Sequence, residues 1–173
     1  MGDPRRQHKR YEKPKKKFEA ARMKEEDLLI QKYGLKNKKE IWRSEFKIDN
    51  IRRQAKSLIR SPQQAEKLVL KLKNLGLKVN AVDDILALTR ENILERRLQT
   101  VLVRKGLAKT FREARQLITH KHVLVGSNIV NIPSFIVPLS MEDKIKISKK
   151  QISKKKAQET SEIVTENTGG ENE

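Results

Sequence analysis

Near residue 122 the spacing of the apolar residues changes, and that change limits the folds open to this chain. Up to Thr119 apolar residues recur three and four apart, the helical repeat; from His122 they alternate, the strand repeat. Residues 97–147, RLQTVLVRKGLAKTFREARQLITHKHVLVGSNIVNIPSFIVPLSMEDKIKI, therefore read as two short helices carrying basic side chains, followed by a small sheet. Upstream, from near Lys16, only the helical repeat occurs, and residues 1–15 have no apolar repeat.

Capping and breaking residues divide that upstream part. A helix is expected from near Lys16, with Phe18, Ala21, Leu28, Leu29 and Tyr33 as its apolar set and Gly34 ending it. Asn37 as N-cap and Glu40 at the third position form a capping box for the next helix. Its stripe is Ile41, Ile48, Ile51, Ala55, Leu58 and Ile59, with Lys47, Arg52, Arg53, Lys56 and Arg60 largely off it. Ser61-Pro62 opens a third helix, with Ala65, Leu68, Val69, Leu72 and Leu75 inward and Gly76 closing it. A short helix is expected over 81–88, around Val82, Ile85 and Leu86. Thr89 then caps one helix over 90–104, with Ile93, Leu94, Leu98, Val101 and Leu102 inward and Arg96, Arg97 and Arg104 toward solvent or a ligand. Thr110 and Glu113 form a second capping box for a helix ending near Thr119, whose buried side is Ala114, Leu117 and Ile118. Strands are expected at 122–125 and 129–131 around Gly126-Ser127-Asn128, and at 135–137 and 144–148, with Pro133 and Pro138 at strand ends. The fold class is mainly α with a small antiparallel β-sheet. Its expected divisions are a basic extended arm (1–15), a helical domain (16–92), a two-helix-and-strand domain (93–148) and a disordered tail (149–173).

Charge points to the partner. The 173 residues carry 40 Lys+Arg and 22 Asp+Glu, a net charge of +18. Residues 1–60 hold 20 basic and 9 acidic side chains and residues 96–148 hold 10 and 3, whereas 61–95 and 149–173 each hold 5 and 5. Two separate segments thus carry the excess, as two basic patches or one shared groove, and a polyanion is the natural partner. On the two-helix unit the basic residues are Arg96, Arg97, Arg104, Lys105, Lys109, Arg112, Arg115 and Lys121. A merely solvated face is the alternative, but the only acid within 96–121 is Glu113, which its cap accounts for. Arg outnumbers Lys here, which suits bidentate phosphate contact. Arg112 and Arg115 are surface neighbours on one helix. Arg5, Arg6, Lys15, Lys16, Lys38, Lys39, Arg43, Arg52, Arg53 and Lys56 complete the set expected to meet nucleic acid. RNA is favoured over DNA because no long recognition helix with base-reading Asn or Gln stands out. The seven aromatics, Tyr11, Phe18, Tyr33, Trp42, Phe46, Phe111 and Phe135, fall mostly in or beside apolar stripes, which argues against a base-stacking single-strand binder.

Other classes lack their residues. Without cysteine there is no disulfide, thiolate zinc site or Cys nucleophile. His8, His120 and His122 have no converging carboxylates, so no metal is expected. Asp83 and Asp84 point apart on a helix and suit its N-terminus better than acid–base catalysis. The glycines are too scattered for a phosphate loop. No enzyme, cofactor or small-molecule substrate is expected. No stretch reaches 18 apolar residues, the N-terminus has no apolar signal region, and Arg6 stands where myristoylation wants Ser or Thr, so no membrane role is expected.

The same residues carry a family likeness. ERRLQTVLVRKGLAKTFREARQLITHKHVLV, with NIVNIPSFIV after it, resembles the S-four RNA-binding domain. That family's pattern is R-L-D, then G-L, S-R-x-x-A-x-x-L-I, a V-x-V-N-G hairpin, a P-S-x-x-V step and a G-D-x-I strand. Arg97-Leu98, Gly106-Leu107, Arg112, Ala114, Leu117-Ile118, Val123, Val125, Pro133-Ser134, Val137 and Ile145 match it. Gln99 stands for Asp, Thr110 for Ser, Gly126-Ser127 for the hairpin's Asn-Gly and Glu142-Asp143 for Gly-Asp. Upstream, MGDPRRQHKRYEKP and YGLKNKKEIWR resemble the archaeal and eukaryotic branch of the small-subunit ribosomal protein S-four family, counterpart of eukaryotic protein S-nine. In that branch Gln99 is a family trait, and the likeness covers residues 1–148. It implies a structural, non-enzymatic constituent of the small ribosomal subunit in the cytoplasm. Such a protein would bind the 5′ domain of small-subunit rRNA at a multi-helix junction and nucleate assembly of the subunit body. It would lie beside proteins S-five and S-three near the path of incoming mRNA and contribute to translational accuracy. The Cys-rich zinc site of many bacterial members has no counterpart here. S-four domains also occur on pseudouridine synthases and tRNA synthetases, but those need a catalytic domain that the upstream helices do not supply. A stand-alone RNA chaperone or ribosome-associated factor is the remaining alternative, and the YGLKNKKEIWR block argues against it.

Overall fold

The computed structural model describes residues 9–148. Expectations for residues 1–8, Arg5 and Arg6 among them, and for the 149–173 tail lie outside the described residues. Five helices come first: α1 (Ala20–Tyr33), α2 (Lys38–Leu58), α3 (Pro62–Asn74), α4 (Val82–Ala87) and α5 (Arg90–Glu95). Two more, α6 (Leu98–Arg104) and α7 (Phe111–Thr119), precede β1 (Val123–Val125), β2 (Asn128–Ile129), α8 (Leu139–Glu142) and β3 (Ile145–Ile147).

Three apolar clusters hold these elements. Leu29, Tyr33, Leu35, Ile41 and Leu94 join α1, α2 and α5. Ala55, Val69, Leu72, Leu77, Val79, Ile85 and Leu88 join α2, α3 and α4. The third cluster places Leu98, Val101 and Leu102 of α6 and Ala114, Leu117 and Ile118 of α7 against Val123 and Val125 of β1, Val137 and Ile145. The sheet is antiparallel in the order β2-β1-β3, with Val125 opposite both Asn128 and Ile145. Val123 and Val125, two apart on the central strand, share its core face as the strand repeat requires. The hairpin loop is Gly126-Ser127, with Gly126 at φ 68, so Asn128 belongs to a strand and not to the turn.

Several expectations are corrected. Helix α1 starts at Ala20 rather than near Lys16, and Phe18 (90 % exposed), Ala21 and Leu28 lie outside its buried face of Glu26, Leu29 and Tyr33. Ile59, assigned to the α2 stripe, is 61 % exposed just past that helix. The single helix over 90–104 is two, broken at Arg96-Arg97, where Arg97 is extended (φ −70, ψ 143). The break has a long-range cause. The Leu98 N–H donates to the Phe135 carbonyl (2.7 Å) and the Val137 N–H donates to the Arg96 carbonyl (3.0 Å). The expected strand at 135–137 is spent on this bridge, Arg97 opposite Ile136, and does not join the three-stranded sheet. Satisfying these buried backbone groups outweighs one more turn of regular helix.

Capping came out unevenly. At α7 the Thr110 hydroxyl accepts from the Glu113 N–H (3.2 Å) and the Glu113 carboxylate accepts from the Lys109 N–H (2.6 Å). At α5 the Asn92 side chain accepts from the Thr89 N–H (2.9 Å). At α2 the expected box is absent: Asn37 makes no side-chain cap, and Glu40 is engaged elsewhere.

Gly34 ends α1 at φ 57, and a Cβ there would lie 2.3 Å from the Phe111 Cβ on α7. Gly106 has a similar φ of 68 with nothing within 4 Å of a Cβ. Alanine at Gly106 should therefore lose about 1–2 kcal/mol, the left-handed strain alone. Alanine at Gly34 should lose clearly more, because strain and overlap of about 1–3 kcal/mol add. Urea unfolding of both variants checks the order; equal losses would remove the close approach of α1 to α7 from the account.

Candidate nucleic-acid interface

Glu40 sits in the first turn of α2, where a carboxylate is favoured by the helix dipole. It accepts hydrogen bonds from Arg97 (2.5 Å) and from Arg115 of α7. Residues 57 and 75 positions away in sequence are thereby fastened to one carboxylate. Arg115 also donates to the Gly34 carbonyl (3.4 Å). Beside it the buried Gln99 amide donates to the carbonyls of Gly34 (3.0 Å) and Phe111 (3.0 Å). Burial alone would raise the Glu40 carboxyl, but the hydrogen bonds and charges of Arg97 and Arg115 outweigh it and hold it below the usual carboxylate range.

Arg96 and Arg97 were expected to face solvent or a ligand. They are 6 % and 4 % exposed. Arg96 donates to the Leu75 carbonyl (3.1 Å), the Val137 carbonyl (2.8 Å) and the Glu142 carboxylate (2.8 Å), tying α3 to α8. Lys105 is likewise engaged, with Asp143 (3.1 Å) and the Glu142 carbonyl. The local scarcity of acids misled here, because Glu40, Glu142 and Asp143 arrive from elsewhere in the chain. Arg52 donates to the Leu88 carbonyl (2.6 Å), and Lys38 pairs with Asp27 (2.9 Å). Lys39 lies over the Tyr11 ring, 4.6 Å from its centroid.

The remaining cations are open. Arg104, Lys109, Arg112 and Lys121 are exposed, as are Lys15, Lys16, Arg43, Arg53 and Lys56. Arg104 spends one donor on the Glu95 carbonyl (2.8 Å). Lys121 holds a left-handed φ of 61, the only non-glycine residue to do so among those described. Its N–H and that of His122 close the end of α7 on the carbonyls of Ile118 and Leu117.

A cleft of about 660 Å³ opens over the Glu40 clasp. Lys9, Arg10, Arg43 and Lys47 line it from the first basic segment, and Arg97 and Arg115 from the second; Glu40 is the only acid. Of the two arrangements the charge map allowed, a shared groove thus exists. Lys47 is exposed as a residue, yet desolvation of its ammonium, followed by the like charges of Arg97, Arg43 and Arg10, holds it below the usual lysine range. Such crowding of like charge is relieved by an anion. Lys9, Arg10 and Lys47 were not among the site residues expected from sequence. The basic arm and the off-stripe position of Lys47 were the available signals.

The S4 domain family matches residues 96–143, beginning at the break between α5 and α6. Similarity runs much further than that domain. The small ribosomal subunit protein uS4 of Thermoplasma acidophilum is 46 % identical over 155 residues, covering 84 % of this chain and 78 % of the relative. Those of Methanococcus aeolicus and Sulfolobus acidocaldarius are 47 % and 44 % identical over 153 residues, covering 84 % of this chain and 86 % and 87 % of the relatives.

This chain belongs to the uS4 family.

The uS4 match is too long to be confined to the S4 domain and takes in α2, which carries Glu40, Arg43 and Lys47. A folded-state carboxylate held low contributes stability above its unfolded value, about 4.3, and loses it as pH falls through the folded value. Glu40→Gln should therefore lower stability at pH 7 by about 3 kcal/mol, leaving two arginines short of a counter-charge. The gap between variant and parent should close as pH falls below about 4. Denaturant titrations at pH 7 and pH 3 read both; a gap independent of pH would mean that the clasp is not ionic.

Proposed function

We propose that this chain is a structural protein of the small ribosomal subunit that binds rRNA through the cationic cleft and the exposed basic side of α7. Its relatives are small ribosomal subunit proteins, and ribosomal structural proteins are not enzymes. The cleft carries the reading: six cations face one carboxylate that two of them already engage. A phosphate backbone supplies the missing negative charge, and a rigid cleft of this kind suits the shape-based recognition of folded RNA.

The finer assignment follows from the same resemblance. The ligand is the 5′ domain of small-subunit rRNA at a multi-helix junction, where gripping several helices together would nucleate the subunit body. Residence in cytoplasmic ribosomes beside proteins S-five and S-three, near incoming mRNA, and a contribution to accuracy belong to this reading. Arg104, Lys109, Arg112, Lys121, Lys9, Arg10, Arg43 and Lys47 are the side chains assigned to phosphate contact. Arg96, Arg97 and Lys105 act mainly by holding the surface in shape, because each is already paired with a carboxylate.

Two substitutions separate these roles. Arg112→Ala should weaken binding to a 5′-domain rRNA fragment by about tenfold or more, since a charge-assisted hydrogen bond contributes about 1.5–3 kcal/mol. Its melting temperature should stay within about a degree of the parent's, as expected for a surface change. Arg97→Ala should lower the melting temperature markedly. Filter binding and thermal melts decide, and normal rRNA affinity in the Arg112 variant would remove α7 from the interface. The parent's log affinity should also fall linearly with log salt, by about 0.7–0.9 per phosphate contacted. A nearly flat titration would mean that the net charge is not engaged with RNA.

A further inference from the structure

One surface does not fit RNA. The stretch 61–95 is electrically neutral within a chain of net charge +18, and it carries a second large concavity. This groove, about 640 Å³, lies between α3 and the start of α4 and takes in Ile59 past the end of α2. Pro62, Ala65, Val69, Leu70, Ala81 and Val82 supply its apolar wall. Ile59 and Leu70 are 61 % and 60 % exposed, so large aliphatic surface is left uncovered.

Charge at the rim tells what could cover it. The lining holds two acids, Glu66 and Asp83, and one cation, Lys73. Asp84, next to the groove, accepts from the N–H groups of Asn80 (2.8 Å) and Ala81 (3.1 Å), and those bonds, followed by the charge of Lys73, hold its carboxyl below the usual range. Glu66 and Asp83 make no ion pair or hydrogen bond among the described residues. Two open carboxylates beside bare aliphatic surface repel phosphate and favour a basic, apolar partner.

We propose that this groove docks a neighbouring protein of the small subunit, through a segment that seats one or two large apolar side chains between Ile59 and Leu70 and sets Lys or Arg beside Glu66 and Asp83. The proposal uses a face separate from the cationic cleft and requires only that the chain reside in the subunit. A concave apolar floor with a charged rim is the usual form of a side-chain anchor site. One face of the molecule then grips RNA while the other reads a protein.

Photocrosslinking tests this. The full chain, with benzoylphenylalanine in place of the exposed Leu70, is assembled into subunits with rRNA and the other small-subunit proteins. Crosslinked peptides and nucleotides are then mapped. The expected product joins position 70 to another small-subunit protein, at a segment with large apolar residues flanked by Lys or Arg. Adding Glu66→Lys and Asp83→Lys should lower that product about fivefold or more, as loss of two charge pairs implies, while binding to the rRNA fragment is unchanged or tighter. Crosslinking to rRNA, to a second copy, to residues 149–173 of the same chain, or to nothing would overturn the proposal, as would a yield insensitive to the charge reversals. If the unsubstituted chain fails to enter subunits or to bind rRNA, the ribosomal reading falls, and this one with it.

Discussion

A single carboxylate organises the molecule. Glu40 joins the first turn of α2 to Arg97, at the start of α6, and to Arg115 on α7. It thereby fastens the α1–α5 helices to the α6–α7 pair and its sheet. Around it, Gln99 and Arg115 both donate to the Gly34 carbonyl, and Gly34 lets α1 end against Phe111. The three buried clusters lie on either side of this junction, so apolar packing stabilises each part while ionic and hydrogen-bonded contacts fix the angle between them. Such a pair adds little net stability over an apolar substitute, but removing one partner leaves the others partly buried and unpaired.

The same carboxylate explains the cleft. Folding must bring Arg97 and Arg115 close to Arg43, Lys47 and Arg10, and one carboxylate cannot offset them all. The free protein holds this crowding because Glu40 offsets two of the charges. Preorganisation of this kind lowers the ordering that the proposed rRNA contact would require. The cations of the cleft and of the α6–α7 pair therefore fall into two groups. Arg96, Arg97, Arg115 and Lys105 have protein partners and set the shape, whereas Arg43, Lys47, Lys109 and Arg112 are exposed.

Neutrality of the 61–95 stretch gives the molecule a second polarity. Among its acids, Asp84 stabilises the first turn of α4, whereas Asp83 and Glu66 remain open beside aliphatic surface. Net charge is thus an average over unlike faces, and its local departures carry information that the total hides.

Sequence alone determined the local events. Gly34 and Gly76 as helix ends, Pro62 at the start of α3 and the Thr110–Glu113 cap depend on neighbours within a few residues, and each is where the turn or the cap chemistry placed it. Net charge and its segmentation are also sequence properties, and they point to a polyanion without any geometry. Tertiary structure decided the rest. Residues 90–104 look like one helix because their apolar spacing is unbroken, yet backbone hydrogen bonds from 135–137 open it at Arg97. Glu40 has the spacing of a capping residue, but two arginines far along the chain offer it stronger, charge-assisted bonds. Arg96 and Arg97 resemble surface charges because their acids, Glu142 and Glu40, are 46 and 57 residues away. Pairings between groups so distant leave no local signal, since short-range periodicity reports which face is buried and not which buried group meets which.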